Sequence, residues 1–153
     1  MANYIETRIR FDKMRENGTV KKTTESYLVD ALSFTEAEAR IIEEQTPFMS
    51  GDFTVSAVKK SKVAEIYRDA SGDKWYRCKL MFITIDEKSG AEKRSASIIM
   101  VQAIDFRNAL ENLLDCMKGT MSDFEIAEIA ETKIMDVYDV KLGTTADKEQ
   151  TPA

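Results

Sequence analysis

The hexapeptide KVAEIY at residues 62–67 returns as KIMDVY at residues 133–138, and the repetition extends far beyond six residues. Phe53 and Val55 find partners in Phe124 and Ile126, and Ile9 and Phe11 in Leu80 and Phe82, all 71 residues apart. Val29 and Ala31 match Val101 and Ala103, and Gly18 matches Gly90, at 72 residues. Tyr4 has a counterpart in Trp75. Agreement of apolar phase, turn glycine and helix start over residues 4–67 and 75–138 predicts two copies of one unit that share a core about a pseudo-two-fold axis. A chain of 153 residues is then one domain, 1–140, built from two repeats.

Each copy begins with period-two alternation, the mark of a strand with one buried face. In residues 4–12 the inward set is Ile5, Thr7, Ile9 and Phe11, and the outward set is Glu6, Arg8, Arg10 and Asp12. The second copy places Tyr76, Cys78, Leu80 and Phe82 inward. Asn17-Gly18 and Ser89-Gly90 supply hairpin turns. The returning strands are predicted at Lys21–Asp30 and Lys93–Gln102. Ser33 with Glu36 three residues on reads as a helix N-cap, and Asp105 takes that place in the second copy. The predicted helix stripes are Phe34, Ala37, Ile41 and Ile42, then Phe106, Ala109, Leu110, Leu113, Leu114 and Met117.

Residues 53–67 and 124–138 are β-branched and alternate at first, then shift phase across Lys59–Lys62. They read as two strands joined by a bend, although Val55, Val58, Val63 and Ile66 also suit a helix face. The expectation is therefore α+β: a tandem β-β-α-β-β unit with mainly antiparallel sheets and one helix per repeat. Counted from residue 53, the middle of the chain reads four strands and then a helix. The tail 141–153 is small and polar and is expected to be disordered.

Composition narrows the chemistry. There are 0 histidines, which removes the commonest general base and zinc ligand. No glycine-rich phosphate loop occurs, and Cys78 and Cys116 are too far apart for a close-spaced metal or redox motif. Carboxylates such as Glu36, Glu38, Glu43 and Glu44 fall in helical runs that solvate a surface. A non-enzyme without cofactor or metal is the expectation. Neither a membrane span nor a signal peptide is visible, so cytoplasmic residence is expected. The net charge of −5 argues against indiscriminate polyanion binding but leaves room for a local basic stripe.

The segments YLVDALSFTEAEARIIEE, FTV and KGTM…AETKIMDVY resemble an uncharacterised domain-of-unknown-function family of gut bacteria and their phages, over roughly residues 4–138. That resemblance implies no catalytic residues. Four strands followed by a helix, doubled about a pseudo-dyad, also looks like the topology of the Whirly, PUR-repeat and transcription-coactivator PC-four binders of single-stranded nucleic acid, without any of their sequence motifs.

The outward face of the first strands offers an aromatic beside two cations in each copy: Tyr4, Arg8 and Arg10, then Trp75, Arg77 and Lys79. Single-stranded nucleic acid uses rings for base stacking and cations for phosphate. Lys21, Lys22, Lys93 and Arg94 would extend the track, and Lys59, Lys60 and Lys62 add a cluster that the second copy keeps only at Lys133. Alternating cations also commonly do no more than solvate a strand and discourage edge aggregation. The reading that follows is a sequence-tolerant single-stranded DNA-binding protein, serving phage or mobile-element replication. Its rival is a protein-interaction or assembly module without nucleic-acid binding, homo-oligomeric through a sheet edge or an apolar face.

Overall fold

Alternation becomes strand over most of the chain. The computed structural model describes residues 3–139; the tail 141–153, expected to be disordered, lies outside the described residues. The elements run β1 (Tyr4–Met14), β2 (Val20–Asp30), α1 (Phe34–Gln45), a 3-10 turn (Thr46–Phe48), β3 (Phe53–Lys60), β4 (Val63–Tyr67), β5 (Lys74–Ile85), β6 (Glu92–Ala103), α2 (Phe106–Cys116), β7 (Asp123–Glu131) and β8 (Ile134–Tyr138). The fold is α+β with mostly antiparallel sheets. Two four-stranded sheets form, in the orders β3-β1-β2-β8 and β4-β6-β5-β7. The chain divides into two compact units. The N-terminal unit holds Ile5–Lys60 with residues 137–139, and the C-terminal unit holds Ser61–Asp136 with residues 3–4.

In the C-terminal unit β5 runs antiparallel to both neighbours, β6 and β7. Those two strands are therefore parallel to each other across β5 and are joined by α2, a split β-α-β arrangement. β4 lies parallel to β6, against the antiparallel trend. Counted from residue 53, four strands do precede α2, as the chain order predicts. The four strands preceding α2 do not form one sheet, because β3 pairs with β1 while β4, β5 and β6 belong to the other sheet. The Whirly and PUR likeness loses its topological ground with that change.

The segments 53–67 and 124–138 are strands, each broken in two, and the helical alternative falls away. The break has a local chemical cause. Ser61 donates its N–H to the Tyr4 carbonyl at 3.0 Å, and its hydroxyl accepts from the Val63 N–H at 3.2 Å. Thr132 donates its N–H to the Trp75 carbonyl at 2.9 Å, and its hydroxyl accepts from the Ile134 N–H at 3.2 Å. A hydroxyl that captures the N–H two residues on makes a turn and ends the ladder.

Other devices recur in the same way. A ladder irregularity falls between Arg8 and Ile9 against β3, and between Lys79 and Leu80 against β7. Gly18 and Gly90 both take positive φ in their hairpins, where a side chain would be strained. Ser33 accepts from the Glu36 N–H at 3.1 Å, and Asp105 from the Asn108 N–H at 2.8 Å. In return Glu36 accepts from the Leu32 N–H and Asn108 from the Ile104 N–H, so each helix start carries a reciprocal pair of capping bonds.

Each helix covers one face of its own sheet. Ala37 and Ile41 pack on Ile5, Ile9, Tyr27 and Val29 in the N-terminal unit. Ala109, Leu113 and Met117 pack on Cys78, Leu80, Ile99 and Val101 in the C-terminal unit. The sheet-facing rows are therefore Ala37, Ile41, Gln45 and Ala109, Leu113, Met117, spaced by four. Gln45 closes its row by donating from Nε2 to the Tyr138 hydroxyl at 2.8 Å. Phe34 and Phe106, expected on the core stripes, are instead 53% and 56% exposed. Extended back by four, each row starts at the cap residue, and the phenylalanine that follows the cap is rotated about 100° away from it. Ile42 and Leu114 stand one residue past their rows and are exposed for the same reason.

Candidate functional site

The face of each sheet opposite its helix carries the predicted site. In the N-terminal unit β1 places Arg8 and Arg10 there, with Glu6 between Arg8 and the strand start. The β1–β3 register sets Arg10 opposite Thr54, Arg8 opposite Ala57 and Glu6 opposite Lys59. Directly opposed residues share a face, so Lys59 joins this surface, while Lys60 opposes Ile5 on the helix side. Strand parity divides the next pair. Tyr27 and Val29 face α1, so Lys22 lies on the open face and Lys21 does not. Arg10 and Lys22 line one cavity together with Asp12, Asp52 and Thr54.

Glu6, half-buried, lies 3.8 Å from Arg8 and 4.0 Å from Lys59, longer contacts than those of Arg77 and Arg94 in the other unit. Among the described residues neither Arg10 nor Lys22 makes an ion pair. On the open face of this unit β3 contributes Thr54, Ala57 and Lys59 and no carboxylate. The carboxylates present are Glu6, Asp12, Asp52 in the cavity with Arg10 and Lys22 and, at the far end of β2, Asp30.

The equivalent face of the C-terminal unit is neutralised. Arg77 meets Glu128 at 3.2 Å. Arg94 meets Glu92 at 3.2 Å and also pairs with Glu125, whose hydrogen bond holds its guanidinium further into the charged range. Lys79 stands opposite Glu128 in the ladder. Lys93 opposes Thr84 on the helix side. The partners come from β6, with Glu92, and from β7, which places Glu125 and Glu128 where β3 has Thr54 and Ala57. Sequence reasoning followed the cations and missed the β7 carboxylates, because only the register brings them alongside.

The stacking role expected of Tyr4 and Trp75 is corrected. Tyr4 is 6% exposed and Trp75 is 1% exposed. Strand parity does place them opposite the helix, but that face is closed at this end: Leu28 in one unit, and Ile98 and Met100 in the other, are buried on it too. The signal was in the sequence. YLV at 27–29 and IIMV at 98–101 are continuous apolar runs, which mark strand ends covered on both faces. Trp75 instead lies under the Arg68 guanidinium, 5.8 Å from the ring centre. Tyr138 stacks on Tyr27 with ring centres 5.8 Å apart.

Both cysteines are free, Cys78 buried and Cys116 half-buried. Burial pushes the Cys78 thiol up to about 12, and Cys116 beside it adds to the shift. Burial also raises the Cys116 thiol, followed by the nearby Glu65. Both stay protonated at neutral pH and are poor nucleophiles. Among the described residues no cluster of acids and cysteines could hold a metal ion, and no helix is long and apolar enough to cross a membrane.

No curated protein and no solved structure matches the chain. Residues 3–140 match the model of the family described as Domain of unknown function (DUF4494), and the chain belongs to that family.

Proposed function

We propose that the protein is a non-catalytic module that binds single-stranded nucleic acid on the open sheet face of the N-terminal unit. Arg8, Arg10, Lys22 and Lys59 contact phosphates there. One observation carries this reading: among the described residues Arg10 and Lys22 stand on this face without an ion pair, whereas Arg77 and Arg94 of the other sheet are paired with Glu128, Glu125 and Glu92. The ligand surface is thus one track rather than two. Single strands suit a shallow polar face that follows a backbone without entering a groove. The setting proposed with it is the cytoplasm during phage or mobile-element replication, where such strands arise. The matched caps, ladder irregularities and hydroxyl turns further support reading the chain as two copies of one β-β-α-β-β unit.

The test is a titration of labelled single-stranded oligonucleotide at several salt concentrations. Three or four phosphate contacts give a slope of log affinity against log salt of about −2 to −3. A slope near zero, or no binding at micromolar protein, removes the proposal. The readout is the label's anisotropy, since Trp75 is buried and is not placed to report contact.

A second reading, assembly with other copies of the chain, is favoured by the exposed apolar rows. Leu32, Phe34 and Ile42 recur as Ile104, Phe106 and Leu114, all exposed. Repeated exposure of large apolar side chains marks an interaction surface. A mass that rises with concentration in light scattering, and falls when Phe34 and Phe106 become serine, supports this reading.

A further inference from the structure

Three cavities open around the segment that carries the chain from α1 into β3. One of about 320 Å³ is lined by Phe11, Asp12, Lys13, Phe48 and Asp52. One of about 310 Å³ is lined by Ile42, Met49, Asp52 and Phe53. The third, about 200 Å³, holds Arg10 and Lys22 with Asp12 and Asp52. The larger two fall at the lower end of the volumes that small ligands occupy. Asp52 is common to all three, and Asp12 to two.

Phe48 is 77% exposed at the end of a single 3-10 turn that contains Pro47. The proline limits that turn's backbone, so the ring is presented from a restrained support. Leaving such a ring in water forgoes about 1.5–3 kcal/mol of burial. The corresponding segment of the other half, residues 117–122, reads MKGTMS and has no aromatic. Phe48 therefore has no aromatic counterpart in the C-terminal unit. Among the described residues neither Asp12 nor Asp52 makes an ion pair or a side-chain hydrogen bond.

We infer that this end of the N-terminal unit is a subsite for one unpaired nucleobase that carries an exocyclic amino group. Phe48 stacks on the base, Asp52 and Asp12 accept from its amino group, and Arg10 and Lys22 hold the adjoining phosphate. The inference rests on the binding face proposed above and names what that face selects. An ionised carboxylate can only accept hydrogen bonds. Cytosine and adenine present an amino donor where thymine presents a carbonyl acceptor, and thymine's oxygen would face the carboxylate without a proton between them. Cytosine-rich and adenine-rich strands are bound in preference to thymine-rich ones.

The experiment measures anisotropy of labelled oligodeoxycytidine and oligothymidine against the whole chain and its variants. The wild type is expected to bind the cytidine strand about fivefold more tightly or better, from the range for one good polar base contact. Phe48→Ala is expected to weaken both strands about tenfold, the loss of one stacked base. Asp52→Asn is expected to close the gap between the strands. Both positions are exposed, and melting curves check that the variants fold. If Phe48→Ala and Asp52→Asn change nothing while Arg10→Glu with Lys22→Glu abolishes binding, the base subsite is wrong and the phosphate track stands. If the wild type binds neither strand, both fall.

Discussion

Gly72→Ala is expected to destabilise the protein more than any other single-methyl change in the described chain. A Cβ at this position would lie 2.6 Å from the Ala103 backbone N and Cα. Backbone atoms cannot swing aside as a side-chain tip can. The loop is also tied down. Gly72 donates to the Asp69 carbonyl at 2.8 Å and accepts from Gln102 Nε2 at 3.1 Å. Asp69 in turn holds Ser71 and Asn112, bonds that keep its carboxyl below the usual range. Removing glycine from the unfolded chain would by itself stabilise by about 0.4–1 kcal/mol. Forcing one methyl into a packed site costs about 1–3 kcal/mol, and against backbone the upper end applies. The net effect is a loss of about 2 kcal/mol, or about 4–8 °C in melting temperature for a chain of this size. Gly51→Ala is the control, because nothing lies within 4 Å of its would-be Cβ; its melting temperature should stay within about a degree or rise. Equal behaviour of the two variants in thermal melts would show that the Gly72 contact is not tight in solution.

The second large effect is on binding. Reversing Arg10 and Lys22 together to glutamate should weaken binding of a single strand by more than about a hundredfold, since each charge-assisted contact is worth about 1.5–3 kcal/mol. A double reversal in the other unit, Arg77→Glu with Lys79→Glu, should cost less than about threefold, because Glu128 already pairs with Arg77 and opposes Lys79. The residues show one asymmetry, the Lys59, Lys60 and Lys62 cluster that the second copy keeps only at Lys133. The register separates the two faces, and anisotropy titrations at one salt concentration decide. Equal losses from the two double variants would mean that the acids of β7 do not screen their face.

Local chemistry was legible in the residues. Ile9 and Leu80 are fully buried, as their alternation predicts. Ser33 and Asp105 cap their helices, and Gly18 and Gly90 turn their hairpins. The break after Lys60 was legible as a change of phase, but its consequence was not. Alternation says that a strand has ended and is silent about which sheet the next one joins, so the move of β4 beside β6 needed the structure. The buried rings were misread for a related reason. Parity assigns Tyr4 and Trp75 to a face, and only the unbroken runs at 27–29 and 98–101 hint that this end of the face is closed. Phe48 escaped notice because an isolated aromatic in a Thr-Pro-Phe turn has no periodicity to mark it, and its value lies in neighbours brought together from β1 and the segment entering β3.

Amide chemical-shift mapping with an unlabelled oligodeoxycytidine addresses the binding face most directly. Shifts concentrated at Arg8, Arg10, Lys22, Thr54 and Phe48, with β5 and β7 unmoved, are the predicted result. Shifts confined to the β5–β7 face or to the helix rows around Phe34 and Phe106, or no shifts at saturating strand, would contradict it.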